Sequence, residues 1–164
     1  MIHHLSIPAR DPRRVAEVLA ELLKGRAYPF VGALPGAYMA VSGDPHGTMI
    51  EVYPDGIVLE RGEGDGPARF VASAAPPASA VPFHAYLSLP CERDEIEQIG
   101  RREGWRTKLL GRGVPGQAPV FHVIELWIEN RVMLELVTEA MAVAYRTAMQ
   151  FAVLDRHVAS ATAG

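Results

Sequence analysis

The sequence predicts an α+β fold: two βαβββ modules forming a curved mixed sheet around a cavity, plus a C-terminal helix. Three observations predict it. The order strand, helix, strand, strand, strand is legible twice along the 164 residues. A Gly- and Pro-rich stretch separates the two copies. A His in each first strand and a Glu in each last strand fall at matched places. Internal repetition of this kind constrains a fold more than any single element does.

The first strand is read over residues 2–8, IHHLSIP, with Leu5 and Ile7 on one face and His4 and Ser6 on the other. Asp11-Pro12 opens a helix, Asp as N-cap and Pro at the first helical position. Val15, Val18, Leu19, Leu22 and Leu23 recur at helical spacing, and Gly25 ends the helix. Residues 26–31 read as an edge strand because of Pro29. Residues 37–42 and 48–53 read as two strands joined by the turn Asp44-Pro45-His46-Gly47.

Residues 55–81 read as a linker, with a short strand near Ile57–Leu59. A connection this long is either a domain joiner or a functional loop. Gly62, Gly64 and Gly66 lack a strand-to-helix setting, so they do not read as a phosphate loop. The second copy follows: a strand at 83–89, a helix over about 92–103 ending at Gly104, and a strand at 105–110. After the loop 111–119 come strands at 120–128 and 131–137, joined at Glu129-Asn130. The domain plan is therefore module one over 1–54, the linker, module two over 82–138, and a helix and tail over 139–164. Thr138 caps that helix, which runs to about residue 155 before a frayed tail.

Composition narrows the function classes. Apolar residues at 49% and charged residues at 21% are ordinary for a soluble globular protein. A net charge of −3 with no basic run argues against a nucleic-acid partner. Apolar runs are too short or interrupted to span a bilayer. The N-terminus lacks a charged start followed by an apolar run, so no signal peptide is expected. The single cysteine, Cys91, allows no intrachain disulfide and reads as structural. A cytoplasmic protein is the expectation.

Strand parity places His4, Glu51, His84 and Glu135 away from the apolar residues that pack under each helix. The His-to-Glu separations are 47 and 51 residues, so both halves keep nearly one scale. Taken singly, a His satisfied by hydrogen bonds and a Glu on a solvated sheet face are the plainer explanations. Together, two imidazoles and two carboxylates make a sensible set for a divalent metal ion: Zn, Ni, Co, Mn or Fe. Pairing across a tight Glu129-Asn130 turn sets Ile124 opposite Glu135 and His122 opposite Val137. That places His122 on the face of Glu135, either as an acid or base or as a rim residue. Tyr38, Tyr53 and Tyr86 are expected on the same cavity faces, either lining a substrate pocket or simply packing. His46 is expected to face solvent from its turn.

Several stretches resemble the vicinal-oxygen-chelate superfamily. IHHLSIPARDP is similar to the family's opening strand, and DPHGTMIEVYP to its Asp-Pro-x-Gly turn with the acidic strand. FHAYLSLP and ENRVMLELV resemble the second opening and acidic strands, over residues 1–54 and 82–138 together. The resemblance to glyoxalase I implies metal held by His4, Glu51, His84 and Glu135. It further implies an isomerase or lyase in which Glu51 or Glu135 takes a proton next to a carbonyl and the metal stabilises the enediolate. Resemblance to extradiol dioxygenases implies Fe(II) with His122 as acid or base. Resemblance to bleomycin resistance protein implies metal-free binding of a small molecule. A homodimer is expected from the family habit and the apolar stripe of the last helix.

Overall fold

The computed structural model describes residues 2–30, 34–77, 83–114 and 116–162, with 157–162 described by backbone alone. Val31, residues 78–82 of the linker and Pro115 of the long loop lie outside the described residues. The chain divides into two compact units. One comprises residues 1–83 with Ile128–Val132; the other comprises His84–Trp127 with residues 133–164.

The first unit opens with β1 (His4–Ala9) and α1 (Pro12–Leu22). The Asp11 carboxylate accepts the Arg14 N–H at 3.0 Å and so starts the helix as the sequence implies. Strands β2 (Arg26–Pro29), β3 (Tyr38–Val41) and β4 (Met49–Pro54) complete a sheet of order β1-β4-β3-β2, with β1 and β4 parallel. Pro29 thus lies on an edge strand, where a missing N–H costs no ladder bond. Val15, Val18, Leu19 and Leu22 of α1 are buried, as are Ile7, Ala40, Ile50 and Val52 of the sheet. Helix α1 packs on this sheet.

The linker is more ordered than expected. Strands β5 (Ile57–Glu60) and β6 (Arg69–Ala72) form an antiparallel hairpin. The Gly-rich stretch is its loop: a Cβ at Gly62 would overlap the carbonyls of Gly66 and Pro67, and Gly64 has φ +56°.

The first unit also takes in the turn at Ile128–Val132. Glu129 accepts the backbone N–H of Arg10 at 2.8 Å and of Asp11 at 2.9 Å, and Arg131 holds Asp55 through two bonds. Nothing in the sequence pattern singled out these contacts, because they join residues distant along the chain.

The second unit repeats the plan. Strand β7 (His84–Leu89), α2 (Arg93–Glu103), β8 (Thr107–Arg112), β9 (Phe121–Ile128) and β10 (Val132–Thr138) give the order β7-β10-β9-β8, with β7 and β10 parallel. Helix α2 buries Ile96 and Ile99 and ends on Gly104 at φ +67°, as its sequence requires.

The C-terminal segment departs from expectation. It is two helices rather than one: α3 (Glu139–Ala148), capped by Thr138, and α4 (Phe151–Thr162). The break at Met149-Gln150 carries no Gly or Pro, which is why the sequence did not show it. Helix α3 lays Ala142 against Val123 and Val137.

Candidate functional site

In the first unit, Glu51 sits in the middle of β4 and is only 6% exposed. Its in-register neighbour on the parallel strand is Ser6. The Ser6 hydroxyl donates to Glu51 Oε2 at 2.8 Å and the Tyr53 hydroxyl donates to the same oxygen at 2.5 Å. Burial first, and then the bond to Glu51, raise the Tyr53 pKa. His4 pairs with Met49, two positions back along the same sheet face, and is exposed. The Tyr53 ring meets Phe70 of β6 edge-on at 5.1 Å and Phe30 at 6.3 Å. The hairpin in the linker therefore covers part of the face that carries Glu51.

Tyr38 lies elsewhere. It stands opposite Val52 in the β3–β4 ladder, and Met39 stands opposite Glu51. Directly opposed residues share a face, so Tyr38 lies on the α1 side and not with Glu51 and Tyr53. Alternation within β3 alone does not reveal which face meets α1; the β3–β4 register does.

In the second unit, Glu135 is 9% exposed and Tyr86 is its in-register neighbour on β7. His84 pairs with Met133, which matches His4 and Met49 in the first unit. The partners of the carboxylate differ. Arg112 donates to Glu135 Oε1 through Nε at 2.8 Å and Nη2 at 2.6 Å, and its Nη2 also reaches Glu125 Oε1 at 2.8 Å. Arg106 and the Trp127 indole N–H donate to Glu125 Oε2 at 2.9 and 3.0 Å. Burial pushes the Glu125 pKa up, but the bonds from Trp127, Arg112 and Arg106 outweigh it and hold the group below its usual value. Two guanidinium groups thus balance two carboxylates.

Tyr86 belongs to a group of three rings. It stacks on Tyr145 of α3 at 4.0 Å, and Phe121 meets both rings edge-on. Burial, then Tyr145 and Glu135, push the Tyr86 hydroxyl up to about 12.

His122 is not on the face of Glu135. Arg112 pairs with Phe121 in the β8–β9 ladder and bonds both Glu125 and Glu135; Val123 packs with Val137. The Glu135 face therefore carries Phe121, Val123 and Glu125, and alternation puts His122 on the other side with Ile124 and Leu126. The cause is the turn. Glu129 and Asn130 both have positive φ, Arg131 is outside the strand, and β10 starts at Val132. Three connecting residues instead of two shift the pairing by one and flip every side chain.

Sequence reasoning missed Arg112, Glu125, Ser6 and Tyr145. Glu125 had a signal: it is the one charged residue in VFHVIELWI. Arg112 lay beyond the expected end of its strand. Within either unit, no three His, Cys, Asp or Glu among the described residues are grouped as metal ligands.

Each unit, then, contains a βαβββ module whose first and last strands pair in parallel, with the same strand order, and the carboxylate lies on the last strand of the module in both. This is the α+β arrangement of two βαβββ modules that the sequence implies. No protein-family model matches the chain, and no curated protein does. Solved structures similar to it include a glyoxalase/bleomycin resistance protein/dioxygenase from Alicyclobacillus acidocaldarius, at 15% identity and TM-score 0.46, covering 84% of this chain and 90% of that one. The fosfomycin resistance protein FosX from Mesorhizobium loti is 15% identical, with TM-score 0.43 and coverage of 83% and 89%. A protein described as oxidase ChaP-H2 is 17% identical, with TM-score 0.45 and coverage of 85% and 93%. No helix among the described residues is long and apolar enough to cross a membrane.

Proposed function

We propose that this chain is a small-molecule binding protein of vicinal-oxygen-chelate fold that holds its ligand without a resident metal ion. The observation that carries this reading is Arg112 on Glu135. A ligating carboxylate must turn its charge on the cation. Here the charge is already neutralised by a guanidinium that a divalent ion would repel. At about 4 Å and an effective dielectric of about 20, each unit-charge repulsion is on the order of 4 kcal/mol. As arranged, Glu135 does not fit a divalent ion.

A second reading keeps one specific support. In the first unit the Glu51 carboxylate is oriented by the Ser6 and Tyr53 hydroxyls, with His4 on the same face. Hydrogen bonds of this kind often orient ligating carboxylates. The alternative is therefore the metal-dependent isomerase or lyase that the resemblance to glyoxalase I implies, with Glu51 among the ligands of its ion. Such an ion would act as a Lewis acid. This reading requires Arg112 to leave Glu135. The extradiol alternative relied on His122 beside Glu135 and loses that support.

Turnover separates the two. The binding reading expects no conversion of 2-oxoaldehyde–thiol adducts and no oxygen uptake with catechols, whichever of Zn, Ni, Co, Mn or Fe(II) is added. Metal-dependent turnover that disappears in Glu135→Gln, with folding intact, would establish the enzyme instead. We further propose a homodimer, which sedimentation velocity tests directly; a monomer at all concentrations would refute it.

A further inference from the structure

The Tyr86 hydroxyl is fully buried and makes no hydrogen bond among the described residues. Buried hydroxyls are almost always paired, so an unpaired one points to a partner that arrives from outside the chain. Its surroundings indicate which kind. Tyr86 is the in-register neighbour of Glu135, and Arg112 reaches Glu135 through Nε and Nη2 while its Nη1 makes no bond among the described residues. The same sheet face carries Arg106, Lys108 and Arg112 against Glu125 and Glu135, an excess of one positive charge. Unused donors and positive charge suit an anion with oxygen acceptors.

The cover over this place is lightly fixed. Tyr145 stacks on Tyr86, but its helix α3 buries only Ala142 and Ala148 fully, and small side chains contribute little on burial. A flat ring could take the place of Tyr145 on Tyr86, with Phe121 at its edge.

We propose that this face of the second unit binds a planar organic anion of the aromatic carboxylate class, and that Tyr145 is the movable cover of the site. The ring takes the place of Tyr145 beside Tyr86 and Phe121, tilted out of the plane of Tyr86 so that its carboxylate accepts from the Tyr86 hydroxyl and from Arg112 Nη1. The assignment rests on the metal-free reading above and gives it a ligand class.

The test is calorimetric titration of the full chain with benzoate, once in EDTA and once with Zn²⁺. Tyr145→Ala should bind about tenfold more tightly than wild type, and Tyr86→Phe about tenfold more weakly. Without benzoate, Tyr86→Phe should raise Tm by about 2–4 °C, because it removes an unpaired buried hydroxyl. Absence of binding in both wild type and Tyr145→Ala would overturn the site. So would a Tyr86→Phe variant that lowers Tm and leaves affinity unchanged. Binding that needs Zn²⁺ yet weakens in Tyr86→Phe would uphold the site and overturn the metal-free reading.

Discussion

Glu51 and Glu135 hold equivalent places in their modules, yet one is held by hydroxyls and the other by a guanidinium. That difference governs how each side chain responds to change. Removing Arg112 strips Glu125 and Glu135 of a shared cation, so Arg112→Met should lower stability by about 2 kcal/mol in urea unfolding. The depressed pKa of Glu125 has a definite sign. A carboxylate held below its usual value contributes stability above about pH 4.3, and the contribution is lost as pH falls further. Arg112→Met should therefore flatten the acid limb of the stability curve; an unchanged limb would mean that Glu125 draws nothing from the pair. Tyr86 has the opposite sign. Its hydroxyl is raised to about 12, so the associated stability is intact below about pH 10 and is lost as pH rises through about 12. Alkaline unfolding followed by tyrosinate absorbance should shift in Tyr86→Phe.

At the scale of the element, the repeat was legible because helices and strands announce themselves by period and cap. Asp11-Pro12, the apolar stripe of α1 and Gly104 all do what their sequence implies. Gly25 is instructive in a different way. The left-handed residue after α1 is Lys24, at φ +54°, and Gly25 is needed because a Cβ there would overlap the Val41 carbonyl. Gly25→Ala should cost about 2 kcal/mol or more, since the obstacle is backbone and cannot swing aside. A neutral result would show that the turn between α1 and β2 relaxes freely. The failures have a common cause. The positions of Tyr38 and His122, the β5–β6 hairpin and the break between α3 and α4 depend on register and long-range packing. Alternation within one strand cannot reveal them, and one added turn residue moved His122 to the opposite face.

At the scale of the whole molecule, two copies of one module were readable from the order of elements and from the spacing of His4, Glu51, His84 and Glu135. What those four residues do was not readable, because function depends on the partners of each carboxylate. Arg112 reaches Glu135 across the sheet from β8, and no local pattern marks it. The C-terminal helices carry a further consequence. Phe151 is 85% exposed at the start of α4, so Phe151→Ser should leave thermal stability of the monomer within about 0.5 kcal/mol. On the metal-free reading, the Arg112 guanidinium takes the place a cation would have at Glu135. The most direct test of that reading is elemental analysis of the untagged protein purified without chelators, beside Arg112→Met and His4→Ala/His84→Ala. The expected result is no stoichiometric metal in wild type after exposure to Zn, Ni, Mn or Fe(II), and increased uptake in Arg112→Met. About one transition-metal ion per wild-type chain, lost in the double histidine variant, would contradict it.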